Sequence, residues 1–222
     1  FMKPRFSLTE NFLCETESGL PRSISVEKNS VYTHNHIRRE DGALYIACQG
    51  NKFFLITPKP ADADVCFRFR FHNTHDEYGC ALYFRYDRTL RTGYCVELCR
   101  EKDENFLSLC RIDREEKHIL DRIDLDSDSL PDENTLCVIC RGGDVQAQLN
   151  GREYAFAPAE AIIPSPGAVG MTFHSRIGEM AALHMSVESE DELPSEILLP
   201  ETSAAIPLRN GGNIPYVLTW SV

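Results

Sequence analysis

The sequence predicts an all-β, antiparallel fold, and two observations carry this prediction. The dominant hydrophobic period is two. In VCFRFRF (65–71) the valine and the phenylalanines fall on one face of a strand and the arginines on the other. Similar short runs recur between Gly, Pro, Asn and Asp, and no helix is predicted beyond a turn near 158–162. Such strands bury one face by forming a sandwich or a closed barrel.

The strand-like segments follow one another along most of the chain. In order they are GALYIAC (42–48), KFFLIT (52–57), VCFRFRF (65–71), GCALYFRYD (79–87), GYCVELCR (93–100), FLSLCRI (106–112), TLCVICR (135–141), VQAQLNGREYAF (145–156), GAVGMTF (167–173) and MAALHMSV (180–187). Asn150-Gly151 lies between two alternating runs. It predicts a type I′ hairpin, because both central residues of that turn need a positive φ.

The composition of the chain limits the classes of molecule that it is expected to bind. The 222 residues suffice for one large domain with its own core, and no run approaches the roughly 18 apolar residues that cross a bilayer. The formal charge is −11, with 23 Lys and Arg scattered along the chain. Phosphate backbones and anionic membranes would repel such a surface, so we expect neither nucleic acid nor membrane as a partner.

The chain changes character at its C-terminal end. ESEDELPSE (188–196) is acidic, and the proline- and glycine-broken remainder ends in the apolar IPYVLTW (214–220), which is too apolar for a free linker. We therefore predict a β-sandwich over residues 1–188 and an extended tail over 189–222. The tail packs on the sandwich or leads to a neighbouring domain.

Nine cysteines are present. Cys95 and Cys99 share a strand face about 13 Å apart, too far for a disulfide. Cys137 and Cys140 resemble a CxxC motif, but an odd spacing on a strand points them to opposite faces. Most cysteines are therefore interpreted as reduced, buried residues. With no signal peptide visible, a cytoplasmic location is expected. An extracellular location stays open, since a removed leader would not be seen.

The order of the pieces resembles the concanavalin A-like lectin/glucanase superfamily, in particular its laminin-G-like and 3-keto-disaccharide hydrolase-like jelly-roll domains. The resemblance covers roughly residues 5–188. It rests on a G-x-x-F-R type strand, a G-Y-x-V-x-L strand, a T-x-x-V strand, an x-x-V-x-L-N-G hairpin and a closing G-x-x-G segment. These are Gly79–Arg85, Gly93–Leu98, Thr135–Val138, Val145–Gly151 and Gly167–Gly170. It implies an antiparallel β-sandwich of the jelly-roll type.

The resemblance also implies a carbohydrate site on one concave sheet face. If Leu82 and Phe84 point into the core, the alternate residues of that strand point to this face. The residues predicted to converge there as ligand-binding groups are Arg70, Tyr83, Arg85, Glu97 and His174. Aromatic rings stack on pyranose rings, and Arg and Glu bind hydroxyls. The alternative is that Arg85 and Glu97 form an ordinary cross-strand ion pair.

Three functions follow from this site. The first is a non-catalytic module that binds oligo- or polysaccharide, with a neighbouring catalytic domain of a glycoside-processing protein as a further expected partner. The second is a small glycan hydrolase or lyase, with Glu97 and His174 as candidate catalytic residues. A glycosidase needs two well-placed carboxylates, and only Glu97 is predicted at the site, which favours the module. The third is a protein-interaction domain, as in laminin-G-like relatives.

Metal sites have weaker support in the sequence. Relatives of this fold bind calcium, so the resemblance implies a structural calcium ion, for which Asp76 and Glu77 are the candidate ligands. The D-x-D-x-D run at 124–128 lacks the glycine and the glutamate of an EF-hand loop. No cofactor is expected.

Overall fold

A computed structural model describes residues 6–10, 24–27, 36–47, 51–56, 59–74, 77–102, 104–114, 116–126, 130–175 and 177–189. Within these ranges the regular elements are all strands. They are β1 (Phe6–Glu10), β2 (Ile24–Glu27), β3 (His36–Glu40), β4 (Ala43–Ala47), β5 (Lys52–Leu55), β6 (Ala63–His72), β7 (Glu77–Asp87), β8 (Thr92–Glu101), β9 (Glu104–Asp113), β10 (Glu116–Leu125), β11 (Glu133–Arg141), β12 (Asp144–Leu149), β13 (Arg152–Ala155), β14 (Ala168–Ser175) and β15 (Glu179–Ser189). The described part of the chain therefore contains no helix that could cross a membrane.

Two antiparallel sheets form the sandwich, which confirms the predicted fold class. The eight-stranded sheet has the order β13-β12-β11-β6-β15-β4-β3, with β1 also paired to β15. The seven-stranded sheet has the order β10-β9-β8-β7-β14-β5-β2. Strands β7 to β10 form a meander, so residues distant in sequence lie in register on one face. The predicted tail lies outside the described residues, apart from Ser189 at the end of β15.

The core lies between the sheets, and alternation places side chains in it as predicted. Phe67 and Phe69 of β6 are fully buried, whereas Arg68 and Arg70 of the same strand are exposed on the outer face. Across the core, β7 contributes Leu82 and Phe84 to the same apolar cluster. The Asn150-Gly151 hairpin also forms, with φ of 53° and 82° at the two residues.

The outer face of the seven-stranded sheet carries a second buried cluster. Tyr83, Cys95 and Cys110 belong to it, and each is at least 95% buried. Strand β7 is therefore buried on both faces through most of its length, whereas the outer face of β6 is largely exposed to solvent. A polar group on this outer face lies in an environment that strengthens electrostatic contacts.

One pair of cysteines departs from the predicted reduced state. Cys66 on β6 and Cys137 on β11 face each other in register and form a disulfide. The two cysteines lie 71 positions apart in the sequence, which hides this pairing from sequence analysis. Cys140 is a free, buried thiol of the core and Cys137 faces outward, which confirms that the CxxC thiols point to opposite faces.

Candidate functional site

The outer face of the seven-stranded sheet brings together three of the predicted site residues. On β7, Gly79 pairs with His174 of β14 and Ala81 pairs with Glu97 of β8. Tyr83 follows two residues later on the same strand face. Neighbouring rows of one sheet face lie within reach of long side chains. The sheet register therefore places Tyr83, Glu97 and His174 on one continuous patch.

Glu97 is the centre of this patch. Its side chain is only 4% exposed, and the Nζ of Lys117 lies 2.7 Å from its Oε1 and 2.6 Å from its Oε2. His174 Nδ1 lies 3.3 Å from Oε1. Lys117 is on the edge strand β10, and the intervening strand β9 presents the small Ser108 opposite Glu97. We call Glu97, Lys117 and His174 the Glu97 cluster.

The charges in the Glu97 cluster follow from burial and proximity. Burial disfavours the charged form of Lys117, but the Glu97 carboxylate outweighs it and raises the pKa of Lys117. Burial lowers the pKa of His174, and the charge of Lys117 lowers it further, against the opposing effect of Glu97. At neutral pH His174 is therefore a neutral imidazole. When its Nδ1–H donates to Glu97, Nε2 is left as a hydrogen-bond acceptor.

Glycine explains how the imidazole reaches across the sheet. A Cβ added at Gly79 would lie 2.5 Å from the Leu98 carbonyl oxygen, 2.6 Å from His174 Cε1 and 2.8 Å from Nε2. The His174 ring therefore occupies the space beside Gly79 that a Cβ would need, and any other residue at position 79 would displace it. Gly79 is visible in the sequence, but only the register between β7 and β14 shows that it makes room for His174.

Aromatic side chains line the patch on the side of Tyr83. The ring of Tyr83 lies 6.1 Å from that of Phe54 and 5.4 Å from that of Tyr86. Lys52 Nζ lies 5.4 Å from the centroid of the Tyr86 ring and 3.1 Å from Glu27 Oε1. Burial raises the pKa of the Tyr83 phenol, so its hydroxyl stays protonated. We call Phe54, Tyr83 and Tyr86 the aromatic cluster.

Arg85 does not project from this face, contrary to the prediction. It has a φ of 50°, and the pairing of β7 with β8 shifts register between Phe84 and Asp87. This irregularity breaks the alternation and turns the guanidinium toward the eight-stranded sheet. Its Nε donates to the Ala61 carbonyl at 2.6 Å and its NH2 donates to the Gly142 carbonyl at 2.7 Å.

The same guanidinium also forms an ion pair. Its NH2 lies 3.0 Å from Asp62 Oδ1, which in turn accepts from the Gly142 amide at 2.9 Å. Arg85 is thus a buried clamp between the two sheets. The alternative in which Arg85 pairs with Glu97 is also wrong, since their partners are Asp62 and Lys117.

Arg70 is likewise absent from the patch. It lies on the outer face of the eight-stranded sheet, half exposed, with its Nε 3.8 Å from Glu133. The prediction failed because β6 and β7 follow each other in sequence but belong to different sheets. Of the candidate calcium ligands, Glu77 is exposed at the start of β7, and Asp76 lies outside the described residues.

A mixed set of metal-ligating atoms lies within the patch. Cys99 follows Glu97 by two residues and shares its face of β8. One ligand atom each from Glu97, Cys99 and His174 lie within 4.8 Å of one another. Cys99 is not among the predicted site residues, because its spacing from Cys95 indicates only that the two cannot form a disulfide. Burial raises the pKa of this thiol, and Glu97 raises it further.

Comparison with solved structures identifies the architecture. A carbohydrate binding module, CBM66 from Bacillus subtilis, aligns with a TM-score of 0.56 and 13% identity over 75% of this chain and 96% of the module. A lichenase, a β-1,3-1,4-glucanase from a mouse hindgut metagenome, aligns with a TM-score of 0.57 and 11% identity over 82% of this chain and 98% of the enzyme. The fold is the concanavalin A-like jelly roll.

The exoplasmic/lumenal domain of VIP36, in a form bound to calcium and mannose, is also similar. It aligns with a TM-score of 0.57 and 12% identity over 82% of this chain and 88% of that domain. No family model matches the chain, and no curated protein matches it. At such low identities the likeness describes the fold, which hosts both binding modules and enzymes.

Proposed function

We propose that this domain is a carbohydrate-binding module that holds a glycan on the outer face of its seven-stranded sheet. The observation that carries the proposal is the Glu97 cluster, a buried carboxylate fixed by Lys117 and His174 beside the aromatic cluster. The similar structures, a carbohydrate binding module and a mannose-bound domain among them, support the choice of ligand class.

The exposed members of the patch define what a ligand would touch. The side chains of Lys117 and His174 are 41% and 39% exposed, whereas Glu97 beneath them is 4% exposed. Lys117 donates hydrogen bonds, and the neutral His174 accepts one at Nε2, so together they match the donor and acceptor character of a sugar hydroxyl. Glu97 then acts as a positioning residue that fixes both groups.

The arrangement favours binding over catalysis. Both oxygens of Glu97 accept from the same ammonium group, so this carboxyl is poorly placed to deliver a proton to a leaving group. Glycosidases use two carboxyl groups about 5–9.5 Å apart. The hydrolase or lyase hypothesis would need a second acid beside Glu97, and our proposal needs none. A role beside a catalytic domain in a glycoside-processing protein is part of the proposal.

A binding screen with matched variants tests it. The chain is presented to a panel of plant and animal glycans while reducing sugar is followed in the same wells. We expect retention without release, lost in Lys117→Ala with His174→Ala. The control, Arg68→Ala with Arg70→Ala, alters the exposed outer face of the other sheet and should bind like the wild type. Sugar release would overturn the module in favour of an enzyme. No binding would favour a protein-interaction domain.

A further inference from the structure

The Glu97 cluster adjoins a third kind of ligand atom, the sulfur of Cys99. A carboxylate oxygen, a thiol sulfur and an imidazole nitrogen lie within 4.8 Å of one another, from Glu97, Cys99 and His174. We propose that these three residues bind one zinc-type divalent ion. The proposal goes beyond glycan recognition, because the ion would bind in the absence of any sugar.

The ligand chemistry selects the class of ion. Thiolate and imidazole suit zinc and its neighbours, whereas calcium and magnesium prefer oxygen ligands throughout. Three protein ligands also leave one tetrahedral position open. That position would face solvent on the side of His174, whose ring is 39% exposed while Glu97 and Cys99 are buried. The ion therefore has an entry path and an exchangeable fourth ligand.

The strands hold the three metal-ligating side chains close together before any ion binds. Glu97 and Cys99 are alternate residues of β8, so both project from one face with a backbone spacing of about 6.6 Å. His174 enters from β14, two strands away, by lying over Gly79. Its Nδ1 already lies 3.3 Å from Glu97 Oε1. A bound ion would replace that contact and join the same two atoms.

Lys117 is the group that opposes the ion. It holds both oxygens of Glu97, but a carboxylate has lone pairs for more than one partner on each oxygen. Oε2 can remain with Lys117 while Oε1 turns to the ion. The ammonium charge still repels a dication at this range, which lowers its affinity. Removal of this charge should therefore tighten metal binding, an effect that a merely structural Lys117 would not produce.

Zinc and cobalt titrations of the purified chain, without glycan, test the site. We expect one Zn²⁺ per chain, and with Co²⁺ a thiolate-to-metal charge-transfer band in the near ultraviolet. Cys99→Ser and His174→Asn should each weaken zinc binding at least about 100-fold, more than the loss of an outer-shell partner. The matched controls are Cys95→Ser, a buried thiol on the same face of β8, and His184→Asn on β15. Both should bind zinc like the wild type.

Each outcome decides between the alternatives. Absence of zinc binding, absence of the cobalt band, or unchanged affinity in His174→Asn would overturn the proposal. If Cys99→Ser does not fold, the wild-type cobalt band and the half-exposed His174 variant still decide. Lys117→Met should bind zinc more tightly than the wild type, and equal or weaker binding would contradict the proposed site. Repeating the glycan screen with a chelator present and absent keeps the two proposals apart, because glycan retention by a chain that binds no zinc overturns only the metal site.

Discussion

Substitution of Arg85 by methionine gives the sharpest test of the structure. The sequence alone predicts an exposed residue on a binding face, whose loss would change stability by no more than about 0.5 kcal/mol. The structure instead places its guanidinium in a buried clamp, 1% exposed, between β7 and the loops of the opposite sheet. Methionine keeps the apolar stem and removes only the charged donors.

The magnitude follows from the contacts. The two short bonds to backbone carbonyls, at 2.6 Å and 2.7 Å, are charge-assisted, and each contributes about 1.5–3 kcal/mol. The ion pair with Asp62 adds little, because that carboxylate is 37% exposed and screened by water. The contact with the Ile163 carbonyl, at 3.4 Å, is too long to count. Arg85→Met should therefore lower the free energy of unfolding by roughly 3–6 kcal/mol.

Urea denaturation followed by circular dichroism measures this loss. A domain typically has only about 5–15 kcal/mol of stability, so the midpoint should fall steeply. Arg70→Met, an exposed arginine of the other sheet, is the matched control and should shift it little. A stability within about 1 kcal/mol of the wild type for Arg85→Met would refute the clamp, because water would then satisfy the carbonyls.

Three further predictions concern other parts of the fold. Gly79→Ala should displace His174, abolish glycan binding and lower the free energy of unfolding by about 1–3 kcal/mol. The control is Gly143→Ala, whose added Cβ would lie 3.7 Å from its nearest neighbour. It should change neither glycan binding nor the free energy of unfolding in the same binding and denaturation assays. Reduction of the Cys66–Cys137 disulfide should lower the free energy of unfolding by about 4 kcal/mol, since the bond joins residues 71 positions apart. Denaturation with and without reductant measures this loss. Unequal stability of the reduced wild type and the double serine variant would contradict it. Both cysteines should resist alkylation until reductant is added, which mass spectrometry detects.

The fold was predictable because its signals are local. Alternation in VCFRFRF needs only seven residues of sequence to predict which side of β6 is buried. The Asn150-Gly151 turn is read from two residues, since few other dipeptides accept positive φ twice. The order of such pieces along the chain then indicates the jelly roll without any distance between strands.

The site was predictable only in part because it depends on register. Tyr83, Glu97 and His174 were placed on one face by alternation within their own strands, and the structure brings them together. Lys117 was missed, since no local pattern shows that a lysine 20 residues from Glu97 returns to it across an intervening strand. Alternation within a strand predicts which sheet face a residue occupies, but it does not predict which residue of an adjacent strand lies beside it.

Arg85 was misplaced for a different reason. Alternation assumes an unbroken strand, and a positive φ at an arginine is rare enough that no sequence rule predicts it. The structure shows what permits it: a Cβ added at Gly167 would clash with the Arg85 backbone, and one at Gly93 would lie 2.8 Å from the Arg85 carbonyl oxygen. These two glycines permit the irregular backbone at Arg85, but Gly167 lies 82 positions from Arg85 in the sequence, so no local pattern connects them.

Packing alone does not account for the Glu97–Lys117 pair. An ion pair whose carboxylate is buried often contributes no more than a well-packed apolar pair of similar volume, because desolvation of the carboxylate offsets the attraction. The neighbouring row of the same sheet face shows that apolar residues fit here, since Tyr83, Cys95 and Cys110 are buried together. A carboxylate at Glu97 is therefore not required to fill the sheet. What it does provide is a fixed negative charge that holds the half-exposed Lys117 and His174 side by side, and our proposals assign that pair to a hydroxyl-bearing ligand or a metal ion.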